Sequence, residues 1–340
     1  MKRNGAIDLL KLISALFIVV VHSSYPSDFG FAMNAIARFS VPIFFMITGY
    51  YVVQSEDKEG CLKKQIIKLA KYYVFYEFLY VFYAFCLALV QHDLHNFKVA
   101  FLLTLKNFFI SPVVGIHLWY VVNVIWVLVI ISIFRKFSQL TYLFAGSILL
   151  HVAGILLSHL SVQLLHWELP LAYTRNFLFF GLFYVMLGYF LQRVDIEKLK
   201  KYRVWLLLVG VGMAIAQSGE RYLWTTVFHS VFADYYFTTI VASIALFLFA
   251  LCCEVKNKTI AKISRYSMPI YFLHIFVIQL LWLFCYNATA QMRGSILGNT
   301  AYILLVCVLS GGLYALVKKL FTVLRNKIKP EPQNIHSGIE

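Results

Sequence analysis

Residues 7–24 read IDLLKLISALFIVVVHSS. After Asp8 the only fixed charge in this run is Lys11. An apolar stretch of this length crosses a hydrocarbon core of about 30 Å as one helix. Lys2 and Arg3 precede it in the manner of a signal peptide. The following Val21-His22-Ser23-Ser24-Tyr25-Pro26 is no small-residue cleavage site, so the run reads as an uncleaved first helix. Similar apolar stretches recur at 36–54, 72–91, 116–134, 140–158, 175–192, 203–218, 236–254, 268–288 and 300–321. The 203–218 stretch is the weakest of them. We therefore expect an all-α integral membrane protein with about ten transmembrane helices.

Composition agrees. The chain is 61% hydrophobic and only 13% charged, against about 25% charged residues in soluble domains. Its mean hydropathy is +0.77. A bilayer can hide that much apolar surface and a soluble core cannot. Of the 30 Lys and Arg residues, 23 lie at the N-terminus, in the gaps 55–71, 135–139, 193–203 and 255–267, and in the tail. The intervening gaps and their edges hold six, and Lys11 lies inside the first span. By the positive-inside rule this places both termini in the cytoplasm of a multi-pass protein of the plasma (inner) membrane of a bacterium. The net charge of +15 is spread beside apolar segments, which fits topology and attraction to anionic membrane lipid rather than nucleic acid.

The length suits one transmembrane domain over 1–325, with a tail at 326–340 (Pro332, Gln333, Asn334, Ser337, Gly338) of disordered composition. A stretch near 98–111 reads as an interfacial helix, and 222–232 as interfacial or re-entrant. The six cysteines show no metal spacing; adjacent Cys252 and Cys253 are no CxxC pair. No metal is expected. Walker, GxSxG, HExxH and GxGxxG motifs are missing, so ATP-driven transport and serine-hydrolase chemistry lack support.

Lys11 and His22 are eleven residues apart. On a helix that is about three turns plus about 20°, so the two side chains share a face about 16 Å apart. Ser14, Ala15 and Ile18 lie between them, small enough to line a narrow channel. A buried charge costs at least ~2.5 kcal/mol in a membrane helix, so Lys11 either snorkels to the interface or faces a wet cavity. His22 is correspondingly either a helix-end residue or a titratable group in that cavity. The spacing suits an acyl-coenzyme A: a cation at the cytoplasmic mouth for its phosphates, and an imidazole one arm-length away to act on the acyl group or an acceptor hydroxyl.

The opening Ala6-Ile7-Asp8-Leu9-Leu10-Lys11, ten residues, then His22, resembles the first motif of the acyltransferase family 3 membrane proteins, which has arginine where this chain has Lys11. Lysine keeps the charge and loses the bidentate fork. Four further stretches match in order. Arg38-Phe39-Ser40-Val41-Pro42-Ile43-Phe44-Phe45-Met46-Ile47-Thr48-Gly49-Tyr50 resembles the second-helix signature, with Thr48 where serine is usual. His117-Leu118-Trp119-Tyr120 resembles the fourth-helix entrance, and Tyr173-Thr174-Arg175-Asn176 the approach to the sixth helix. Ser264 to His274 resembles the late serine–tyrosine–histidine signature. The resemblance covers roughly residues 3–320.

It implies a ten-helix domain that moves acyl groups, usually acetyl from acetyl-CoA, onto surface carbohydrates, with His22 as the catalytic residue. Similar proteins include O-acetyltransferases of capsules and exopolysaccharides and the membrane domain of vancomycin-resistance serine racemases. On this reading Lys11 binds the coenzyme, and His274 touches its arm or bonds a neighbouring helix. Arg38, His117 and Arg175 bind an anionic acceptor, stabilise an oxyanion, or anchor the helix ends. Trp119 and Tyr120 form a sugar platform or an aromatic belt. Glu77 is an intramembrane carboxylate, paired with Lys11 or Lys71 or simply hydrogen-bonded. Glu220 and Arg221 read as a solvated turn. The expected partners are acyl-CoA, a surface polysaccharide or lipid-linked glycan, and membrane lipid. The alternative is a transporter or flippase for a small amino acid or lipid-linked sugar.

Overall fold

The first helix, α1 (Gly5–His22), starts where the sequence provides a cap. Asn4 accepts from the amide of Ala6 at 2.8 Å and that of Ile7 at 3.4 Å, and its own amide donates to the Ala250 carbonyl at 3.4 Å. In this computed structural model residues 4–53, 60–167, 169–230 and 236–328 are described, and among them every regular element is helical. The chain continues through α2 (Ser27–Ile36), α3 (Ser40–Thr48), α4 (Cys61–Gln91), α5 (Leu94–Asn107) and α6 (Trp119–Lys136). There follow α7 (Leu140–Leu165), α8 (Leu182–Phe190), α9 (Arg203–Thr226), α10 (Phe237–Cys252), α11 (Ser267–Phe284) and α12 (Ile296–Ile328). The last helix thus runs past 325, and the rest of the expected tail lies outside the described residues.

Seven helical stretches among the described residues are long and apolar enough to cross a membrane: Gly5–His22, Ser27–Tyr51, Cys61–Gln91, Ile116–Lys136, Leu140–Leu165, Lys258–Phe284 and Ile296–Val323. Phe177–Arg193 and Ile196–Thr226 form a pair bent by 93°, an eighth span if taken together. The protein is a multi-pass, all-helical membrane protein, but length and composition do not yield the expected ten. Helix α10 is apolar and only 16 residues long. Helix α9 takes in both the weak 203–218 stretch and the first five residues of 222–232, with Gln217, Glu220 and Arg221 within it. The second span begins at Ser27 rather than 36 and carries a tight turn at Ala37–Phe39.

Helix α4 shows how the bundle faces lipid. Tyr73, Tyr76, Glu77 and Tyr80 recur at helical spacing and are buried, while Val74, Phe75, Phe78 and Phe82 are exposed. Polar groups point inward and apolar ones outward, the reverse of a soluble helix, because hydrocarbon offers no hydrogen bonds. Helices α3 and α8 cross closely through glycine. A Cβ at Gly49 would strike the Val185 carbonyl, and one at Gly188 the Met46 carbonyl.

Helix α1 packs on α3, α10, α11 and α12. Its start lies by the end of α10. At its far end Asn299 donates to the Ser23 carbonyl at 3.0 Å, and Tyr25 and Thr300 share a hydrogen bond at 3.0 Å. Lys200 and Glu254, joined at 3.4 Å, and Gln192, bonded to the Tyr50 carbonyl, fall at the Asn4 end. The basic stretches 193–203 and 255–265 therefore gather opposite His22.

Candidate functional site

Two cavities open along α1. Near its start, Lys11 is half-buried and lines a cavity of about 180 Å³ with Thr48, Gln65, Tyr120, Met268 and Tyr271. At its end, His22 lines a cavity of about 350 Å³ with Arg38, His117, Trp119 and Arg175. The two share no lining residue. Three rings in mutual contact, Phe44, Tyr120 and Tyr271 (centroids 6.1, 5.4 and 6.5 Å apart), line the Lys11 cavity, and Tyr271 lies 5.7 Å from the His117 ring of the other cavity. This corrects the expectation of one passage joining Lys11 to His22. Ile18 lines the outer cavity, whereas Ser14 and Ala15 are packed away at 0% exposure.

Tyr120 is displaced from its expected place for the same reason. Trp119 and Tyr120 are neighbours at the start of α6, so their side chains diverge by about 100°. Trp119 joins the His22 cavity, while Tyr120 faces the Lys11 cavity and hydrogen-bonds Thr48.

His274 is fully buried, and its ring lies 5.1 Å from that of His22 and 5.2 Å from that of His117. With those two rings it forms a cluster of three histidines from α1, the turn before α6, and α11. Both buried rings are oriented by backbone. His274 Nδ1 lies 2.7 Å from the Tyr271 carbonyl and 3.1 Å from that of Ile270. His117 Nε2 lies 3.3 Å from the Phe272 carbonyl. A carbonyl only accepts, so those nitrogens carry the protons. The remaining nitrogens, His274 Nε2 and His117 Nδ1, are buried with no hydrogen-bond partner among the described residues.

The Phe272 carbonyl can serve His117 because the ladder of α11 is altered there. The Phe276 N–H, whose regular partner is that carbonyl, donates to the Tyr80 hydroxyl at 3.1 Å. Tyr80 in turn donates to the Phe272 carbonyl at 2.9 Å. The Tyr80 hydroxyl thus bridges one rung of a helix that stays continuous over Ser267–Phe284, across the residues that flank His274. Tyr271 donates to the His117 carbonyl, so α11 and the His117 turn hold each other at two points.

Glu77 also bonds that turn. One carboxylate oxygen accepts the Gly115 amide at 3.2 Å, just ahead of Ile116–Leu118. It is 3% exposed, and its bond is to backbone rather than to Lys11 or Lys71. Of the two expectations, the hydrogen-bonded carboxylate replaces the ion pair.

Arg38 donates to Asn34 at 2.7 Å, and Arg221 reaches the same Asn34 oxygen at 3.1 Å. Asn34 itself donates to the Val21 carbonyl at 3.2 Å, at the end of α1. Sequence reading did not single out Asn34; no motif marks a side chain whose role is to join two guanidiniums to a helix end. Nor are Glu220 and Arg221 a solvated turn. Glu220 accepts from the amides of Phe237 and Thr238 at 2.8 and 2.9 Å, capping α10, and Arg221 donates to the Phe31 carbonyl at 3.0 Å. Arg175 stacks on Trp119 at 4.7 Å and also borders a cavity of about 530 Å³ with Asn107, Ser111, Tyr173 and Asn176. Among the described residues no group of three or more His, Cys, Asp or Glu is arranged to hold a metal.

With this geometry in hand, the comparisons are specific. A family model described as an acyltransferase domain matches residues 4–315. A curated protein of Enterococcus faecalis named "Amino-acid racemase" is 27% identical over 303 residues, which is 81% of this chain and 41% of that protein. The chain thus spans less than half the length of that relative. No solved structure matches.

Proposed function

Because the chain belongs to the acyltransferase domain family, we propose that it carries an acyl group, acetyl in the simplest case, from cytoplasmic acyl-CoA to a hydroxyl of a cell-surface polysaccharide or its lipid-linked precursor. Both termini are then cytoplasmic, the protein lies in a bacterial inner membrane, and the basic end holding Lys11 faces the donor. The single observation that carries this reading is the pair of cavities on one helix: a cation in one, a histidine cluster in the other. The Lys11 cavity has room for the thioester end of a donor arm, not for its nucleotide, which stays among the basic loops. Lys11 attracts the donor's phosphate and carbonyl oxygens as a point charge.

His22 acts as general base on the acceptor hydroxyl, with transient acylation of its ring as the variant route. Arg38 and Arg175 place two positive charges in a cavity whose lining contains no carboxylate. They suit an acceptor bearing a carboxylate or phosphate, or the oxyanion formed as the hydroxyl attacks. For the ring floor to be passed, the donor thioester displaces Tyr120 or Tyr271.

The test is transfer of labelled acetyl from acetyl-CoA, supplied on the cytoplasmic face of vesicles, to glycan on the other. His22→Ala is expected to lower kcat by about 10²–10⁴-fold. Transfer at the wild-type rate removes His22 from the catalytic role. A second reading rests on the racemase similarity: the same cavities serve as a carrier for a small amino acid. Amino-acid flux without coenzyme, and no acyl transfer, selects that reading.

A further inference from the structure

His274 has no part in donor or acceptor contact above, yet it is fully buried and held by two backbone carbonyls. Its Nδ1 proton is committed to the carbonyls of its own helix. That leaves a bare lone pair on Nε2, the end of the ring that reaches away from α11 toward α1 and α6. A fully buried acceptor without a donor is costly, about 1–3 kcal/mol, and such groups in native proteins call for an explanation. The ring of His22 is 5.1 Å away, centroid to centroid. A centroid separation of that size permits one N–H···N bond between two imidazoles, although the structure itself closes none at His274 Nε2.

We propose that His274 is the positioning partner of His22: its Nε2 accepts the N–H of the His22 ring and so fixes which His22 nitrogen faces the acceptor hydroxyl. The inference rests on the acyltransferase reading and deepens it. In the step, the acceptor O–H breaks and its proton moves to the other His22 nitrogen while the oxygen bonds the thioester carbon. The original His22 N–H stays on His274, where the developing imidazolium strengthens the bond. Collapse of the tetrahedral intermediate breaks the C–S bond, and His22 returns the proton to the departing thiolate. The products are the ester and free coenzyme thiol, and His22 ends neutral. A neutral histidine in this role, rather than a carboxylate, avoids a permanent charge in the membrane interior. The Tyr80 hydroxyl in the α11 rung and the His117–Phe272 bond hold the helix so that this ring cannot retreat.

Two variants separate positioning from mere packing. His274→Asn keeps an amide donor at the Nδ1 position and ends short of Nε2. His274→Gln places an amide oxygen or nitrogen near Nε2. His274→Asn is expected to lower kcat by about 10–100-fold, the range for partners that orient a reacting group, with acceptor KM within about threefold. His274→Gln should retain most of the turnover. In parallel, ¹⁵N-histidine spectra of the full chain in lipid, with His22 assigned through His22→Ala, should show one His22 tautomer in the wild type and a mixture in His274→Asn. The proposal is overturned by wild-type turnover in His274→Asn, by equal losses in both variants that track a fall in thermal stability, or by an unchanged His22 tautomer. Should the wild type transfer no acyl group from acetyl-CoA, the functional reading fails on its own. The tautomer measurement then still decides whether the two rings are paired.

Discussion

At the scale of single residues, the proposed donor role of Lys11 rests on its charge and reach rather than on hydrogen-bonding detail. It lines a small cavity beside Thr48 and Gln65, where an ammonium acts as a point charge. Lys11→Arg should therefore preserve or improve turnover, since a guanidinium adds a fork for phosphate. Lys11→Glu should raise the donor KM at least tenfold and leave the acceptor KM unchanged; steady-state kinetics with each substrate varied in turn checks both. The eleven-residue spacing made this pair legible in the sequence, because helical geometry alone puts Lys11 and His22 on one face. What lay between them was not legible. The rings beside the Lys11 cavity come from Phe44, Tyr120 and Tyr271 on three other helices, and no local pattern announces a contact across that separation. Glu77 was conspicuous as a carboxylate in an apolar run, but its partner is the Gly115 backbone, which has no sequence signature. Asn34 escaped notice for the converse reason, as a common residue in an unremarked gap between apolar runs.

At the scale of elements, apolar runs and their lengths located the helices well where each was a single rod, as in α1, α6 and α7. They failed at α9, where Gln217, Glu220 and Arg221 interrupt the hydropathy while tertiary bonds keep the helix continuous. Helix α11 carries the bridged rung. Tyr80→Phe would let Phe276 N–H return to the Phe272 carbonyl and close the rung. That variant should cost only about 1 kcal/mol of stability, because both backbone groups regain a partner. It should nonetheless reduce turnover clearly, since the carbonyl that holds His117 and the backbone around His274 are drawn back into the ladder. Melting temperature and kcat measured on the same preparation test this; a loss of stability with turnover intact contradicts it.

At the scale of the whole molecule, the alternation of basic gaps agrees with an arrangement in which Asn4, Gln192, Lys200 and Glu254 share one end of the bundle. The count of spans was less legible, because short and bent helices satisfy the bundle without each meeting the length of a lone membrane helix. The two-cavity layout leads to a prediction about coupling. Tyr120→Ala removes one of three rings in the floor and should join the cavities. Water then reaches the donor thioester, and acetyl-CoA hydrolysis without acceptor should rise several-fold while transfer falls; thiol release against ester formation measures the ratio.

The same floor bears on the energetics of the cell. A bilayer that stores a voltage gives each elementary charge about 2.3 kcal/mol per 100 mV on crossing, and a continuous wet bore would let protons run down that store. If, as proposed, the contacting rings of Phe44, Tyr120 and Tyr271 part only for the donor, an uncharged acyl group crosses while the membrane stays an electrical insulator.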